Sequence, residues 1–157
     1  MSRRYRLLRE QAYEEGRASF DVLAVEPTFR DFVCMYIGEG SRRSRNMVAI
    51  CNSDPCVVQL GAAWIRRLTQ NKVGYLLQYH ADQQLDDLVA FWAARLDIGV
   101  DDVKLLRKSN SNRLNGRSWR SQYGVLTVRV GDTMLRARLQ AWMDRVREDW
   151  IDSPDGA

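Results

Sequence analysis

The sequence predicts an α+β domain in which a mixed, mostly antiparallel sheet carries helices on one face, with an additional helix at the N-terminus. Three observations carry this expectation. In "QYGVLTVRV", residues 122–130, Leu126, Val128 and Val130 fall on one face and Val125, Thr127 and Arg129 on the other, the period of a half-buried strand. Leu85, Leu88, Val89, Trp92 and Leu96 recur at helical spacing and make one apolar stripe. Strand-like and helix-like segments alternate through the chain until two strands adjoin near its end.

Residues 3–20 mix arginine and glutamate with Tyr5, Leu8, Ala12 and Tyr13 at helical spacing, which predicts a charged, partly amphipathic helix in an extension covering 1–26. Glu26-Pro27-Thr28 breaks the chain, and Thr28 is placed to cap a helix reaching about Gly38. "NMVAICN" reads as a short strand that stops at Ser53-Asp54-Pro55, with Asp54 as N-cap and Pro55 as the first helical residue. The following helix puts Val57, Leu60, Gly61, Trp64, Ile65 and Leu68 on one face. "VGYLLQYH" is then a strand with Gly74, Leu76, Gln78 and His80 on one side. A helix from about Gln83 to Leu96 comes next, then a strand at 103–107. After strand 122–130, Asp132 or Thr133 caps a last helix carrying Leu135, Leu139, Trp142, Val146 and Trp150. The main domain is therefore expected over 27–150, followed by a disordered tail at 151–157.

The 157 residues, 45% apolar and 28% charged, suffice for one core. No apolar run approaches the roughly 18 to 20 residues that cross a bilayer, and "MSRRYRLLREQ" is charged before a signal-peptide core could form. A soluble, cytoplasmic protein with no membrane partner is expected. Cys34, Cys51 and Cys56 are odd in number and lie in apolar or strand-like surroundings, which suits reduced, packed thiols.

The net charge of +4 is unevenly spread. Lys104, Arg107, Lys108, Arg113, Arg117 and Arg120 fall in seventeen residues without an acid, so the rest of the chain is net negative by two. That stretch also holds asparagines, serines and Trp119, a composition suited to neutralising phosphates and stacking on a base. A solvated basic loop without a ligand is the alternative. One histidine argues against a nucleophilic triad, and "CNSDPC" has no second thiolate pair to complete a zinc site.

"FVCMYIGEGSRRSR", residues 32–45, ends an apolar helix in a lone acid between glycines and then a burst of arginine. Cys34 and Gly38, four apart, are small enough for two such helices to meet closely, with Ile37 beside them. Glu39 is either a ligand for a hard cation such as Mg²⁺, which takes one or two carboxylates, or a surface glutamate at a helix end.

"FVCMYIGEG" aligns without gaps on the nine-residue motif of the LAGLIDADG homing endonucleases, with Cys34 and Gly38 at its small packing positions, Glu39 at its metal-binding acid and Ile37 in place of its first acid. "MYIGEGSRRSRNMVAICNSDPCVVQL", "LQYHADQQLDDLVAFWAARL" and "YGVLTVRV" extend the likeness: residues 28–147 resemble the small, single-motif LAGLIDADG-like proteins of bacteria. The resemblance implies a homodimer with its motif helices at the twofold axis, paired Glu39 carboxylates holding Mg²⁺ over the minor groove, and a sheet gripping double-stranded DNA. Arg42, Arg43 and Arg45 would then hold flanking phosphates, while Gln78, His80, Thr127 and Arg129 face the DNA by strand alternation. Only about a dozen residues separate Glu39 from "NSDP", too few for a long base-reading β-ribbon. The sequence thus points to a nucleoid-associated, metal-dependent DNA endonuclease. A non-catalytic DNA-binding regulator of the same fold, and a protein-interaction module with an acidic partner, are the alternatives.

Overall fold

Strand alternation and helical stripes assemble an α+β fold of five α-helices and a four-stranded sheet in the computed structural model, which describes residues 2–107 and 121–153. The elements run α1 (Arg3–Leu23), α2 (Phe29–Glu39), β1 (Met47–Asn52), α3 (Pro55–Leu68), β2 (Gly74–Tyr79), α4 (Leu85–Leu96), β3 (Val103–Arg107), β4 (Val125–Gly131) and α5 (Thr133–Asp152). The sheet order is β1-β4-β2-β3; β4 pairs antiparallel with both neighbours, while β2 and β3, joined through α4, run parallel. The sheet is thus mixed and mostly antiparallel.

The period of two fixes which face is covered. Val48 and Ile50, Leu126, Val128 and Val130, Tyr75 and Leu77, and Val103 are buried beneath the helices. The opposite face is built in rows by the register. Arg129 stands between Ala49 and Gly74, Thr127 between Cys51 and Leu76, with Lys104 beyond Leu76, and Gln78 between Val125 and Leu106. None of these strand residues is acidic.

Aromatic packing joins the helices to one another. Phe29 meets Phe20, Trp64 and Trp142 edge-on, with ring centroids 5.9, 5.3 and 5.2 Å away. Trp64, Trp92 and Trp142 are buried, as their spacing predicts, whereas Trp150 is 41% exposed because the stripe of α5 has turned away from the core by its last turn. The N-terminal helix shares this core. Gly16 lets α1 approach α5 so closely that a Cβ there would stand 2.7 Å from the Arg138 carbonyl oxygen, and Trp142 Nε1 donates to the Gly16 carbonyl at 3.0 Å.

The expected caps divide. Asp54 accepts from the Cys56 amide at 2.9 Å with Pro55 following, and Asp132 accepts from the Leu135 amide at 3.0 Å. Thr28 makes no side-chain cap; it sits in the left-handed region at φ 68°, and its hydroxyl oxygen accepts from Trp64 Nε1 at 2.8 Å. The buried indole needs an acceptor, and satisfying it outweighs the cap. The cysteines are free, but Cys51 and Cys56 are exposed rather than packed, since the former faces outward on β1 and the latter opens α3. No helix among the described residues is long and apolar enough to cross a membrane. Residues 154–157 of the expected tail lie outside the described residues, and α5 continues through Asp152.

Candidate nucleic-acid interface

Gly40 ends α2 in extended backbone (φ −76°, ψ 150°), and it must be glycine because a Cβ would overlap the Tyr36 ring. The chain leaving the helix then follows the outer edge of β1. Gly40 bridges to Ile50, and the Ser41 amide donates to the Ala49 carbonyl at 2.8 Å. Tyr36 locks this arrangement from beneath: its hydroxyl donates to the Ser41 carbonyl at 2.8 Å and accepts from the Ala49 amide at 3.1 Å. Burial pushes the Tyr36 phenol above its ordinary value, so it remains the protonated donor at neutral pH.

That path delivers Glu39, Arg42 and Arg43 to the side of the sheet that none of the described helices covers. With Cys51, Thr127 and Arg129 they line a cleft of about 830 Å³. The small side chains flanking Arg129, Ala49 and Gly74, leave its guanidinium room to extend. Lys104 is exposed and two strands from Thr127, about 10 Å at the usual strand spacing.

Glu39 is exposed but oriented. Its Oε2 accepts from Asn52 Nδ2 at 3.0 Å, and Asn52 is itself fixed by the Asp54 amide donating to its Oδ1 at 2.8 Å. The "NSDP" junction therefore holds the acid as well as starting α3. Sequence reasoning missed this function of Asn52, although an asparagine two residues before a helix cap is a familiar local hydrogen-bonding pattern. It also missed the hydroxyl of Tyr36, for which no sequence signal existed.

Other sequence candidates separate. Arg45 turns away from Arg42 and Arg43 and lines a different cavity, between α1 and α5. The loop is pinned before it can return: Asn46 accepts from the Asp132 amide at 3.0 Å and from the Thr133 hydroxyl at 3.1 Å. Gln78 is half-buried on the open face, but His80 is only 3% exposed. His80 is buried because the chain leaves β2 there, its amide donating to Gln83 Oε1 at 2.8 Å, so alternation no longer governs it. Its ring is unavailable on the open face. Arg107 ends β3, while Lys108, Arg113, Arg117, Trp119 and Arg120 lie outside the described residues.

On α2, Cys34 and Ile37 are half-buried against the chain's own core, and Gly38 is exposed with no atom within 4 Å of where a Cβ would stand. Among the described residues no three metal-ligating side chains converge. Among the described residues Glu39 is the one carboxylate lining the cleft, so a hard cation there would need further oxygen ligands from outside these residues.

No family model matches this chain, and neither does any curated protein or solved structure.

Proposed function

We propose that the protein is a LAGLIDADG-like, double-stranded DNA-binding protein that grips the duplex with the open face of its sheet and acts as a homodimeric, Mg²⁺-dependent endonuclease. One observation carries the reading: Arg42, Arg43 and Arg129 share a cleft with an oriented Glu39 on a sheet face whose strands contribute no acid. The guanidiniums are suited to backbone phosphates, and Thr127 and Gln78 to hydrogen bonds with the duplex. The open space at Gly38 supports approach of a second α2, which would bring two Glu39 carboxylates together. Mg²⁺ held between them would supply charge stabilisation to the scissile phosphate. Within each chain, Asn52 holds the carboxylate and the arginines position the strand.

The second reading, a non-catalytic DNA-binding regulator, is favoured by Glu39 being the one carboxylate among the described residues that line the cleft. Titrating a duplex at several salt concentrations tests what the two readings share. Binding that weakens steeply with salt supports DNA as partner, and salt-independent or absent binding overturns it.

A further inference from the structure

The turn that removes Arg45 from the cleft creates a second basic site. Arg45 meets Arg6 and Arg9, one helical turn apart on α1, around a cavity of about 400 Å³ whose walls include Tyr13 and Gln140. Glu10 is the one acid on its lining. Neither Arg6 nor Arg45 forms an ion pair among the described residues, and both are exposed, so core packing does not require their charges here.

Gln140 links this wall to a further cation. Arg136 is 7% exposed on α5; its Nη1 donates to Gln140 Oε1 at 3.0 Å, while its Nε has no hydrogen-bond partner. Gln140 in turn donates to Asp144 Oδ1 at 2.9 Å, and the Tyr13 hydroxyl donates to Asp144 Oδ2 at 2.8 Å. The polar wall is therefore fixed by hydrogen bonds across α1 and α5. Three guanidiniums from two separate elements against one lining carboxylate, Glu10, beside a Gln140 held in place by Arg136 and Asp144, give this wall a net positive charge suited to an anion.

We propose that this cavity binds a phosphate group, with Arg6, Arg9 and Arg45 as its ligands and Gln140 and Arg136 as its positioned support. Arginine suits this chemistry because its planar fork can give two parallel hydrogen bonds to one phosphate. The volume exceeds that of a lone anion and falls in the range of small-molecule pockets, which allows part of the carrier to enter. The carrier is either a free phosphate-bearing small molecule or the backbone of a nucleic acid. None of the residues that line it lines the Glu39 cleft.

The test uses the full chain, its Arg6→Gln/Arg45→Gln variant and, as a control for loss of positive charge, Lys72→Gln. Inorganic phosphate is titrated by NMR, and a 20-bp duplex at several salt concentrations. Phosphate binding at least tenfold weaker in the double variant and unchanged in Lys72→Gln, an exposed lysine that lines neither cleft, supports the site. If the double variant also lowers the slope of log K against log salt by about 1.8, the carrier is a DNA backbone. Phosphate binding lost with the duplex slope unchanged identifies a free carrier. No phosphate binding by the wild type, or equal binding by the double variant, overturns the proposal. Because both substituted side chains are exposed, equal melting temperatures verify that folding is not the cause.

Discussion

Asn52 Nδ2 donates to Glu39 Oε2 at 3.0 Å, tying the last residue of α2 to the last residue of β1. The same asparagine accepts from the Asp54 amide, so helix end, strand end and the start of α3 meet in one side chain. Replacing it with alanine frees the carboxylate and leaves a cap without its neighbour. Asn52→Ala is expected to cost about 1 kcal/mol in stability and to reduce metal-dependent nicking at least tenfold, with duplex affinity within twofold of wild type. Denaturant melts, plasmid nicking and gel retardation on the same preparation check all three.

Tyr36→Phe removes the partner of the Ala49 amide and the donor to the Ser41 carbonyl. A buried amide left unsatisfied costs about 1–3 kcal/mol. Duplex binding should also weaken, because the segment carrying Arg42 and Arg43 loses its anchor to β1. Chemical denaturation and retardation assays measure the two effects.

Alkaline stability follows from the same residue. Burial raises the folded-state pKa of Tyr36 above its ordinary value of 10.0, so the folded chain holds a proton that the unfolded chain releases. The contribution is present in full below pH 10 and lost as pH rises through the folded value. Tyr13, raised by burial and then by Asp144, acts in the same direction. Stability measured from pH 9 upward is expected to fall, and less steeply in Tyr36→Phe.

Gly16→Ala places a Cβ 2.7 Å from the Arg138 carbonyl oxygen and 2.9 Å from Ala141 Cβ. Backbone on one side leaves little to yield, so α1 must move from α5, at a cost of about 1–3 kcal/mol. A melting temperature lower by about 2–4 °C for each kcal/mol is expected. An unchanged melting temperature would contradict the close approach of α1 to α5 at Gly16.

Periodic burial was the legible part of this fold. β4 could be read residue by residue because one of its faces is apolar, and α4 because Leu88, Trp92 and Leu96 keep one stripe. Asp54-Pro55 marked a helix start because capping is a local interaction. The parallel pairing of β2 with β3 was not legible, since register depends on contacts distant in sequence. His80 shows where alternation fails, at a residue just beyond its strand, and Arg45 shows that adjacent charges need not share a surface once Asn46 pins the loop to α5. The membership of α1 in the core was hidden for a different reason: its contact is made by the small Ala12 and Gly16 and by Phe20, too few residues to stand out as a stripe in so charged a helix. The candidate site was half legible, Glu39 and the arginines by composition, Asn52 and Tyr36 only through their hydrogen bonds.

Arg42, Arg43 and Arg129 line one cleft, so their replacement by glutamine should act on backbone contacts together. Each phosphate contact contributes about 0.9 to the salt slope, and the triple variant should lose up to about 2.7. Fluorescence anisotropy of a duplex between 50 and 300 mM salt, roughly the range over which such contacts weaken strongly, reads this directly.

The most direct measurement is nicking of supercoiled plasmid by wild type and Glu39→Gln, with and without Mg²⁺, with retardation of the same DNA followed in parallel. The expected result is Mg²⁺-dependent nicking by the wild type alone and equal retardation by both proteins. Nicking that survives Glu39→Gln, or retardation of DNA by both proteins with no nicking by either, would contradict an endonuclease centred on Glu39, and absence of retardation at low salt would contradict DNA as the partner.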